Sequence, residues 1–298
     1  MSAANVVAFI GLGNMGTPMA RRLVESGLEV VGSDISAEAR ERLVEAGGTA
    51  VADAAQAVER ADAVILMLPN SDIVEAAAAG ILPSVQPGAL VIDMSSSEPL
   101  RSRELAGVVE QSGARFIDAP VSGGVGGARA GTLTIMVGGA EADVQAALPV
   151  LEVLGRPTHV GAVGAGHALK AINNLMSATH LWASSEAMLT GIAFGLDPEV
   201  MLDAINGSSG RSGSTQHKWP NFIVGETYDS GFGLALMLKD MRIATGLAER
   251  LGVPHTLTDA AVAHWEAADA ELGAGADHTE VARWLREHLA TPAEGATA

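Results

Sequence analysis

The sequence contains no cysteine, a single tyrosine and few aromatic residues of any kind (3%). Without cysteine the chain has no disulfides, thiolate zinc sites, iron–sulfur clusters or cysteine nucleophile. Basic residues are also scarce: 18 Lys and Arg stand against 35 Asp and Glu, a net charge of −17. This balance argues against a nucleic-acid binder and against attachment to an anionic membrane surface.

A targeting segment is not apparent either, because the start of the chain runs directly into an apolar stretch. The most apolar long segment, Ala168–Leu196, includes Lys170, Asn174 and Glu186. A membrane-spanning helix would carry such residues only at high cost. We therefore expect this segment to be a helix buried on most sides, and the protein to be cytoplasmic.

Strand and helix patterns alternate over the first half of the 298 residues. Short runs rich in Val, Ile and Leu alternate with helical patterns, which predicts βαβ units and an α/β fold with a doubly wound parallel sheet. The strand-like runs are Val6–Gly11, Leu28–Ser33, Ala63–Leu68, Ala89–Met94, Arg115–Ala119 and Leu133–Val137. The predicted helices between them are Gly16–Ser26, Ala37–Ala46, Asp53–Ala61, Ser71–Ala79, Pro99–Gln111 and Glu141–Leu154.

Beyond the glycine-rich stretch Gly161–Gly166 the strand signals stop and helical patterns follow. We predict an α/β domain over residues 1–162 and an all-α domain over residues 163–288, joined by a long helix. The last residues, 289–298, are low in bulky apolar side chains and are predicted to be disordered.

The sequence Gly11-Leu-Gly-Asn-Met-Gly16 follows a predicted strand and opens a predicted helix. Its glycines permit a tight turn, close approach of the backbone to a pyrophosphate, and close packing of helix on strand. The second predicted strand ends at Asp34, 18 residues past Gly16. A carboxylate there can accept both ribose hydroxyls of NAD and repel the extra phosphate of NADP. A turn or capping role before the next helix is the alternative, given Ser36 nearby. The residues predicted to bind NAD are Gly11, Leu12, Gly13, Asn14, Met15, Gly16 and Asp34.

Two further loops follow predicted strands: Leu68-Pro69-Asn70 and Ser95–Ser97. Ligands of open α/β sheets bind at the carboxyl ends of the strands, so Leu68, Pro69 and Ser96 are candidate cofactor contacts. The alternative is ordinary turn chemistry, with Ser96 or Ser97 capping the helix that begins near Pro99.

A second glycine-rich loop, Asp118–Ala128, follows another strand and can present backbone N–H groups to a carboxylate. Lys170 and Asn174 share one face of the long helix, where a lysine could act as general acid/base and an amide could hold a substrate oxygen. The alternative for Lys170 is a side chain that extends to solvent. Lys239 and Asp240 are adjacent in a later apolar helix, a spacing that we do not expect to form a helix salt bridge. The alternative for Lys239 is an ordinary surface lysine. The histidines show no metal-binding spacing.

Four of these motifs, in this order and spacing, resemble the β-hydroxyacid dehydrogenase family over nearly the whole chain. The motifs are Phe9–Ala20, Asp118–Gly124 with Gly131–Gly139, Gly164–Asn174 and Leu236–Asp240. The resemblance implies a Rossmann domain joined by a long helix to an all-α domain, through which subunits associate. It also implies that Lys170 is the general acid/base and that Asn174 positions the substrate hydroxyl or carbonyl.

The same resemblance implies that Ser122, Gly123 and Gly124 bind the substrate carboxylate and that Lys239 touches cofactor or substrate. Ser96 stands where the family has a Thr or Ser near the nicotinamide ribose. The segment Asn206–Arg211 is similar to one in 3-hydroxyisobutyrate dehydrogenases. The leading hypothesis is therefore NAD-dependent interconversion of a short 3-hydroxy acid and its semialdehyde. The alternatives are an imine reductase and a non-catalytic dinucleotide-binding reader module. The apolar helix also predicts a homo-oligomer, a dimer or a tetramer.

Overall fold

The structure, a computed structural model, describes residues 6–288 of the chain. The tail predicted to be disordered, 289–298, lies outside the described residues. The strands are β1 (Val6–Ile10), β2 (Glu29–Ser33), β3 (Thr49–Val51), β4 (Ala63–Leu66), β5 (Leu90–Asp93), β6 (Arg115–Asp118), β7 (Val121–Ser122), β8 (Leu133–Gly138) and β9 (Gly155–Gly161). Every residue of β4 and β5 is buried, because helices cover both faces of the sheet.

Most helices form close to where the amphipathic patterns predict them, and several begin at capping side chains. Ser36 caps the second helix, Asn70 the fourth and Asp197 the ninth, each accepting a hydrogen bond from a first-turn backbone N–H. The α-helices are α1 (Gly16–Glu25), α2 (Ala37–Glu45), α3 (Ala54–Val58), α4 (Ser71–Ile81), α5 (Pro99–Gln111), α6 (Gly124–Ala130), α7 (Glu141–Leu154), α8 (Ala165–Phe194), α9 (Pro198–Asn206), α10 (Leu234–Leu251), α11 (Thr256–Leu272) and α12 (Val281–Glu287). A π-helical segment, Ser214–Ile223, lies between α9 and α10.

The sheet has the strand order β3-β2-β1-β4-β5-β6-β8-β7, with β9 paired to β8. Strands β1 to β6 pair in parallel; this was predicted for β1, β2, β4, β5 and β6, whereas β3 was not predicted. The strand order reverses between β1 and β4, which creates the crevice where ligands of doubly wound sheets bind. The sheet is not parallel throughout, because β8 runs antiparallel to β6 and β7.

Three strands were not predicted, and each lacks an apolar run. The edge strand β3 has three residues, and β7 has two. In β9 the sequence Gly-Arg-Pro-Thr-His-Val-Gly is largely polar, and none of its residues is fully buried. Short or exposed strands need few apolar side chains, so the hydrophobic pattern does not reveal them.

The described residues divide into two compact units, an N-terminal unit that ends at Ala171 and a C-terminal unit that begins at Ile172. The first has a core on each face of its sheet, one containing Phe9 and the other Ile10. The second is built from helices around Trp219 and Trp265. The division falls within α8, whereas our sequence-based boundary between residues 162 and 163 stays a prediction.

The long helix α8 begins and ends close to its predicted limits. Its apolar residues are not all covered, however: Ile172 is 43% exposed, Met176 53% and Phe194 80%. Of the helices in residues 6–288, none is both long and apolar enough to cross a membrane.

Candidate active site

The first glycine-rich loop is a tight turn between β1 and α1. Gly11 has a positive φ of 100°, and a Cβ there would collide with the Met67 carbonyl oxygen. A Cβ at Gly16 would collide with the Gly11 carbonyl oxygen, so α1 packs directly on the turn. A Cβ at Gly13, by contrast, would meet nothing within 4 Å. The middle glycine therefore leaves open space beside the backbone, as the approach of a ligand requires.

The start of α1 suits an anion. Met15 occupies the N-cap position and makes no side-chain capping bond, and the first turn holds no acidic residue. The partial positive charge of the helix N-terminus is thus not offset by an acidic side chain of that turn. Together with the space beside Gly13, this arrangement fits the pyrophosphate of a dinucleotide.

Asp34 lies just after β2 and is held by two backbone groups. Its Oδ2 accepts a hydrogen bond from Leu12 N (2.7 Å) and its Oδ1 accepts one from Ser36 N (2.8 Å). Asp34 therefore ties the glycine loop to the start of α2, which supports the turn interpretation. A carboxylate has acceptor capacity for about four hydrogen bonds, so the ribose hydroxyls can still be accepted.

The loops after β4 and β5 support each other. Leu68 N donates to Ser95 Oγ (2.9 Å), and Asn70 caps α4. The capping interpretation of Ser96 and Ser97 is wrong: Glu98 is the N-cap of α5 and makes no side-chain bond. Pro99 occupies the first helical position of α5, where its fixed φ suits a helix start and no intrahelical N–H bond is lost. Ser97 Oγ instead donates to Asp93 Oδ2 (2.8 Å).

The second glycine-rich loop changes direction at Gly123 and Gly124, which have φ of 132° and 60°. Ser122 ends β7, and a helix that the sequence did not predict, α6, begins at Gly124. A Cβ at Gly124 would meet nothing within 4 Å. The loop therefore exposes its backbone at the position that the family motif assigns to the substrate carboxylate.

A buried polar cluster, here called the His167 cluster, holds the start of α8. His167 is 1% exposed, and its Nδ1 lies 2.8 Å from Ser102 Oγ. Its Nε2 lies 3.2 Å from the Ser95 carbonyl oxygen, which can only accept, so this nitrogen carries a proton. Asp93 and Asp118, both fully buried, lie 3.7 Å and 3.8 Å from the two ring nitrogens.

Asp118 acts as the cap of α8. Its two oxygens accept hydrogen bonds from Gly164 N (2.7 Å) and His167 N (2.8 Å), which are at the start of the helix. Burial raises the pKa of Asp118, while the charge of His167 and these N–H groups oppose the rise. Asp93 and Asp118 are partners on adjacent parallel strands. The cluster therefore fixes the first turn of α8 against the ends of β5 and β6.

Lys170 follows one turn after His167 on α8 and is 7% exposed. Such burial excludes the interpretation in which the side chain extends into solvent. A lysine is almost never buried unless its amine has polar surroundings or a function.

In the C-terminal unit, Asn174 is 5% exposed, and its Nδ2 donates to Asp240 Oδ2 (2.6 Å). Its Oδ1 accepts from Asn173 Nδ2 (3.2 Å), so both ends of the amide are oriented. Lys239 Nζ lies 3.3 Å from Asp240 Oδ1. Our expectation that these neighbours would not pair is wrong, because the long lysine side chain folds back to the buried carboxylate. Asn174, Asp240 and Lys239 thus form a continuous polar chain.

The comparisons with known proteins agree with this geometry. Residues 6–164 match the family described as the NAD binding domain of 6-phosphogluconate dehydrogenase. Residues 164–285 match the family described as NAD-binding of NADP-dependent 3-hydroxyisobutyrate dehydrogenase. The chain belongs to the β-hydroxyacid dehydrogenase family. It is an NAD-dependent hydroxyacid dehydrogenase of the 3-hydroxyisobutyrate dehydrogenase type, which sets aside the non-catalytic reader module.

Three relatives illustrate the similarity. The chain is 41% identical over 297 residues to mitochondrial 3-hydroxyisobutyrate dehydrogenase of Bos taurus, covering 96% of this chain and 88% of that protein. It is 40% identical over 257 residues to 2-(hydroxymethyl)glutarate dehydrogenase of Eubacterium barkeri, covering 85% of each. The structure of Mycobacterium tuberculosis 3-hydroxyisobutyrate dehydrogenase with L-serine matches with a TM-score of 0.90 and 35% identity, over 95% of this chain and 99% of that one.

Sequence reasoning did not identify His167, Asp93 or Asp240 as site residues. Two signals were present: Asp93 and Asp118 each end an otherwise apolar strand, and Asp240 stands in a largely apolar helix. The pairing of His167 with both carboxylates depends on the packing of α8 against β5 and β6, which no local pattern contains. Within residues 6–288, no group of three His, Cys, Asp or Glu is placed to hold a metal ion.

Proposed function

We propose that this enzyme oxidises a short 3-hydroxy acid to its semialdehyde, or catalyses the reverse reduction, with Lys170 as the general acid/base. The observation that carries the proposal is the burial of Lys170 one turn after a helix start that the His167 cluster fixes in place. A buried amine held on a rigid element suits proton transfer, because its surroundings can keep it neutral and its position is reproducible.

In the direction of oxidation, the neutral Lys170 amine takes the proton of the substrate hydroxyl. The nicotinamide dinucleotide supplies the chemistry of accepting the hydride from the carbinol carbon. Asn174 orients the reacting oxygen through an amide that Asp240 and Asn173 fix. The backbone of Ser122, Gly123 and Gly124 binds the substrate carboxylate. Lys239, paired with Asp240, contributes a positive charge toward cofactor or substrate.

We also propose that NAD is preferred over NADP. The dinucleotide would be held by the loop Gly11–Gly16, with Leu68, Pro69 and Ser96 as further contacts. Asp34 supports the preference, because a carboxylate beside the ribose repels a phosphate. Arg40 is close to Asp34, and an arginine near the ribose can bind the extra phosphate of NADP. Its Nη1, however, donates to the carbonyl oxygens of Asp34 (2.6 Å) and Ile35 (3.2 Å), so it is already engaged with the backbone.

The proposal extends to a homodimer or homotetramer. Ile172 and Met176 are four residues apart on α8 and half exposed, and a second copy of the chain would cover them. Light scattering tests this: wild type should be at least dimeric, and Ile172→Lys should shift it toward monomer. A monomeric wild type would refute it.

The cytoplasmic location stays a prediction, which cell fractionation tests; some relatives carry the description mitochondrial.

The reaction is tested by NAD⁺ reduction across a panel of short 3-hydroxy acids that includes 3-hydroxyisobutyrate, L-serine and 2-(hydroxymethyl)glutarate. At least one should be turned over, and a cyclic imine with NADPH should not.

Lys170→Ala should lower kcat by about 10²–10⁴-fold while NADH binding, followed by fluorescence titration, is retained. Near-normal kcat in Lys170→Ala would contradict the assignment of the base.

A further inference from the structure

Lysine is used sparingly in this protein. The chain contains three lysines, Lys170, Lys218 and Lys239, while its other basic residues are arginines. Two of the three belong to the site already described. Lys218, in the π-helical segment, is also at least partly buried, so none of the three lysines is a fully exposed surface residue.

The Lys218 ammonium has a sparse set of partners. Its Nζ donates to Ser177 Oγ (2.8 Å). Among residues 6–288, no carboxylate lies within the 4.0 Å of an ion pair. Burial lowers the pKa of Lys218 to about 8, against a weaker attraction from Asp277. A cation removed from water without a counter-ion is costly, which is why buried lysines are normally paired.

Asp277 does not fill the role of counter-ion. Its oxygens accept hydrogen bonds from Ser230 Oγ, Gly231 N, Phe232 N, Thr279 N and Thr279 Oγ1. Burial would raise the pKa of Asp277, but hydrogen bonds from His278, Thr279 and Ser230 lower it well below its usual value. These local donors stabilise the carboxylate, and it acts on Lys218 only from beyond ion-pair distance.

His278 adds a second group with unused hydrogen-bonding capacity. Its side chain is buried (4% exposed), and Nδ1 lies 3.1 Å from the Phe232 carbonyl oxygen, so Nδ1 carries a proton. The other ring nitrogen, Nε2, is buried and has no hydrogen-bond partner in residues 6–288. Burial first, and then the charge of Lys218, lower the pKa of His278. An unpartnered buried nitrogen therefore lies within electrostatic reach of Lys218.

This group, here called the Lys218 cluster (Lys218, Ser177, Asp277, His278), is close to Asn174 along α8. Asn174 and Ser177 are three residues apart and so share one face of the helix. The rise between them is about 4.5 Å at 1.5 Å per residue. The Lys218 amine, bound to Ser177, thus stands about one helical turn from the amide proposed to orient the substrate hydroxyl, a distance that a short carbon chain spans.

We propose that Lys218 binds a second carboxylate on the substrate, so that the enzyme selects dicarboxylic 3-hydroxy acids over monocarboxylic ones such as 3-hydroxyisobutyrate. This inference rests on the proposed function. The substrate anion supplies the counter-ion that the described chain does not, and His278 Nε2 accepts a hydrogen bond from the water or hydroxyl that accompanies it.

The kinetic test compares 2-(hydroxymethyl)glutarate with 3-hydroxyisobutyrate in wild type, Lys218→Met and Lys218→Arg. In Lys218→Met the ratio of kcat/KM for the dicarboxylate to that for the monocarboxylate should fall by roughly 10- to 100-fold, the scale of one charge-assisted hydrogen bond. The fall should lie mainly in KM, and Lys218→Arg should recover part of it. An equal loss for both substrates, or a wild type that favours the monocarboxylate, would overturn the proposal. Turnover of neither substrate would instead count against the proposed function.

A binding test needs no turnover. Protein labelled biosynthetically with ¹³C at lysine Cε gives three lysine signals, and Lys218→Met identifies one of them. Glutarate should shift the Lys218 signal and raise its pKa from about 8, because an adjacent anion favours the charged amine. Propionate, with one carboxylate, should shift it much less. If the Lys218 signal does not shift at saturating glutarate, or shifts equally with both acids, the proposed second-carboxylate site is wrong.

Discussion

Each unit of the protein contains a buried histidine beside carboxylates, and the two clusters differ in how completely their polar groups are paired. In the N-terminal unit, both ring nitrogens of His167 have partners, and Asp93 and Asp118 accept hydrogen bonds from nearby backbone or serine groups. In the C-terminal unit, His278 has one nitrogen without a partner, and Lys218 has no ion pair among the described residues. The first cluster holds a helix in place, whereas the second contains a histidine nitrogen and an ammonium group that could bind a ligand.

The contrast extends beyond the histidines. Within residues 6–288, the buried side-chain nitrogen and oxygen atoms that lack a hydrogen-bond partner all belong to the C-terminal unit: they are in Asn206, Ser214, Trp219, Tyr228, Trp265, His278 and Asp240, whose Oδ1 is the atom that forms the ion pair with Lys239. Buried polar groups in native proteins are normally paired, so such a one-sided distribution asks for an explanation. In the N-terminal unit the glycine turns present backbone groups to the ligand, whereas the proposed ligand contacts of the C-terminal unit, Asn174, Lys218 and Lys239, are side chains.

The largest expected effect separates the two clusters by stability. His167→Leu should lower the free energy of unfolding by about 3 kcal/mol or more, because several buried groups lose their partner at once. Lys218→Met, a replacement of similar size, should cost less than about 1 kcal/mol or even stabilise, since it removes a buried cation without an ion pair.

Urea unfolding measures both variants, with two probes. The four tryptophans, Trp182, Trp219, Trp265 and Trp284, are all in the C-terminal unit, so their fluorescence follows that unit, while far-ultraviolet circular dichroism follows the whole chain. His167→Gln is the control that retains hydrogen-bonding groups and should recover part of the loss. Equal destabilisation by His167→Leu and Lys218→Met would remove the distinction between a structural and a ligand-binding cluster.

A second prediction tests whether Asp34, a carboxylate of the N-terminal unit that already accepts two backbone hydrogen bonds, can still bind the cofactor. Asp34→Ala should reduce the preference for NAD over NADP by roughly 10-fold or more, because it removes one charge that repels the extra phosphate of NADP. The ratio of kcat/KM for the two cofactors measures it. Asp34→Asn keeps the acceptor for Leu12 N and separates charge from hydrogen bonding. An unchanged ratio in both variants would make Asp34 purely structural.

Much of the N-terminal unit could be predicted from local patterns. Buried parallel strands are continuous apolar runs, and the glycine spacing of the loop Gly11–Gly16 predicts its turn geometry. The parallel strands β1, β2, β4, β5 and β6 and their helices follow from those signals. The antiparallel strand β8 was located but not its direction, because strand direction depends on which edge accepts it rather than on its own residues.

The candidate site was predictable only where a motif carried it. Lys170 and Asn174 stand out as polar residues at helical spacing in an apolar segment. His167 and Lys218 do not, since a lone histidine in a glycine-rich hinge and a lone lysine in a polar segment have unremarkable sequence contexts. Their importance comes from partners that are distant in sequence, such as Asp93 for His167 and Ser177 for Lys218.

The smallest expected effect compares two carboxylates whose pKa values shift in opposite directions. Burial raises the pKa of Asp118, so folding favours its protonated form: its contribution to stability is present at low pH and is lost as the pH rises from 3.8 through the raised value. Hydrogen bonds lower the pKa of Asp277 despite burial, so its contribution is present above 3.8 and is lost as the pH falls.

Unfolding of wild type, Asp118→Asn and Asp277→Asn between about pH 5 and pH 3 tests both signs. As the pH falls, wild type should gain stability relative to Asp118→Asn and lose it relative to Asp277→Asn. If both differences moved the same way, the donors around Asp277 would not outweigh its burial. The opposite shifts of the two carboxylates, and with them the conclusion that local donors stabilise the charge of Asp277, would then be wrong.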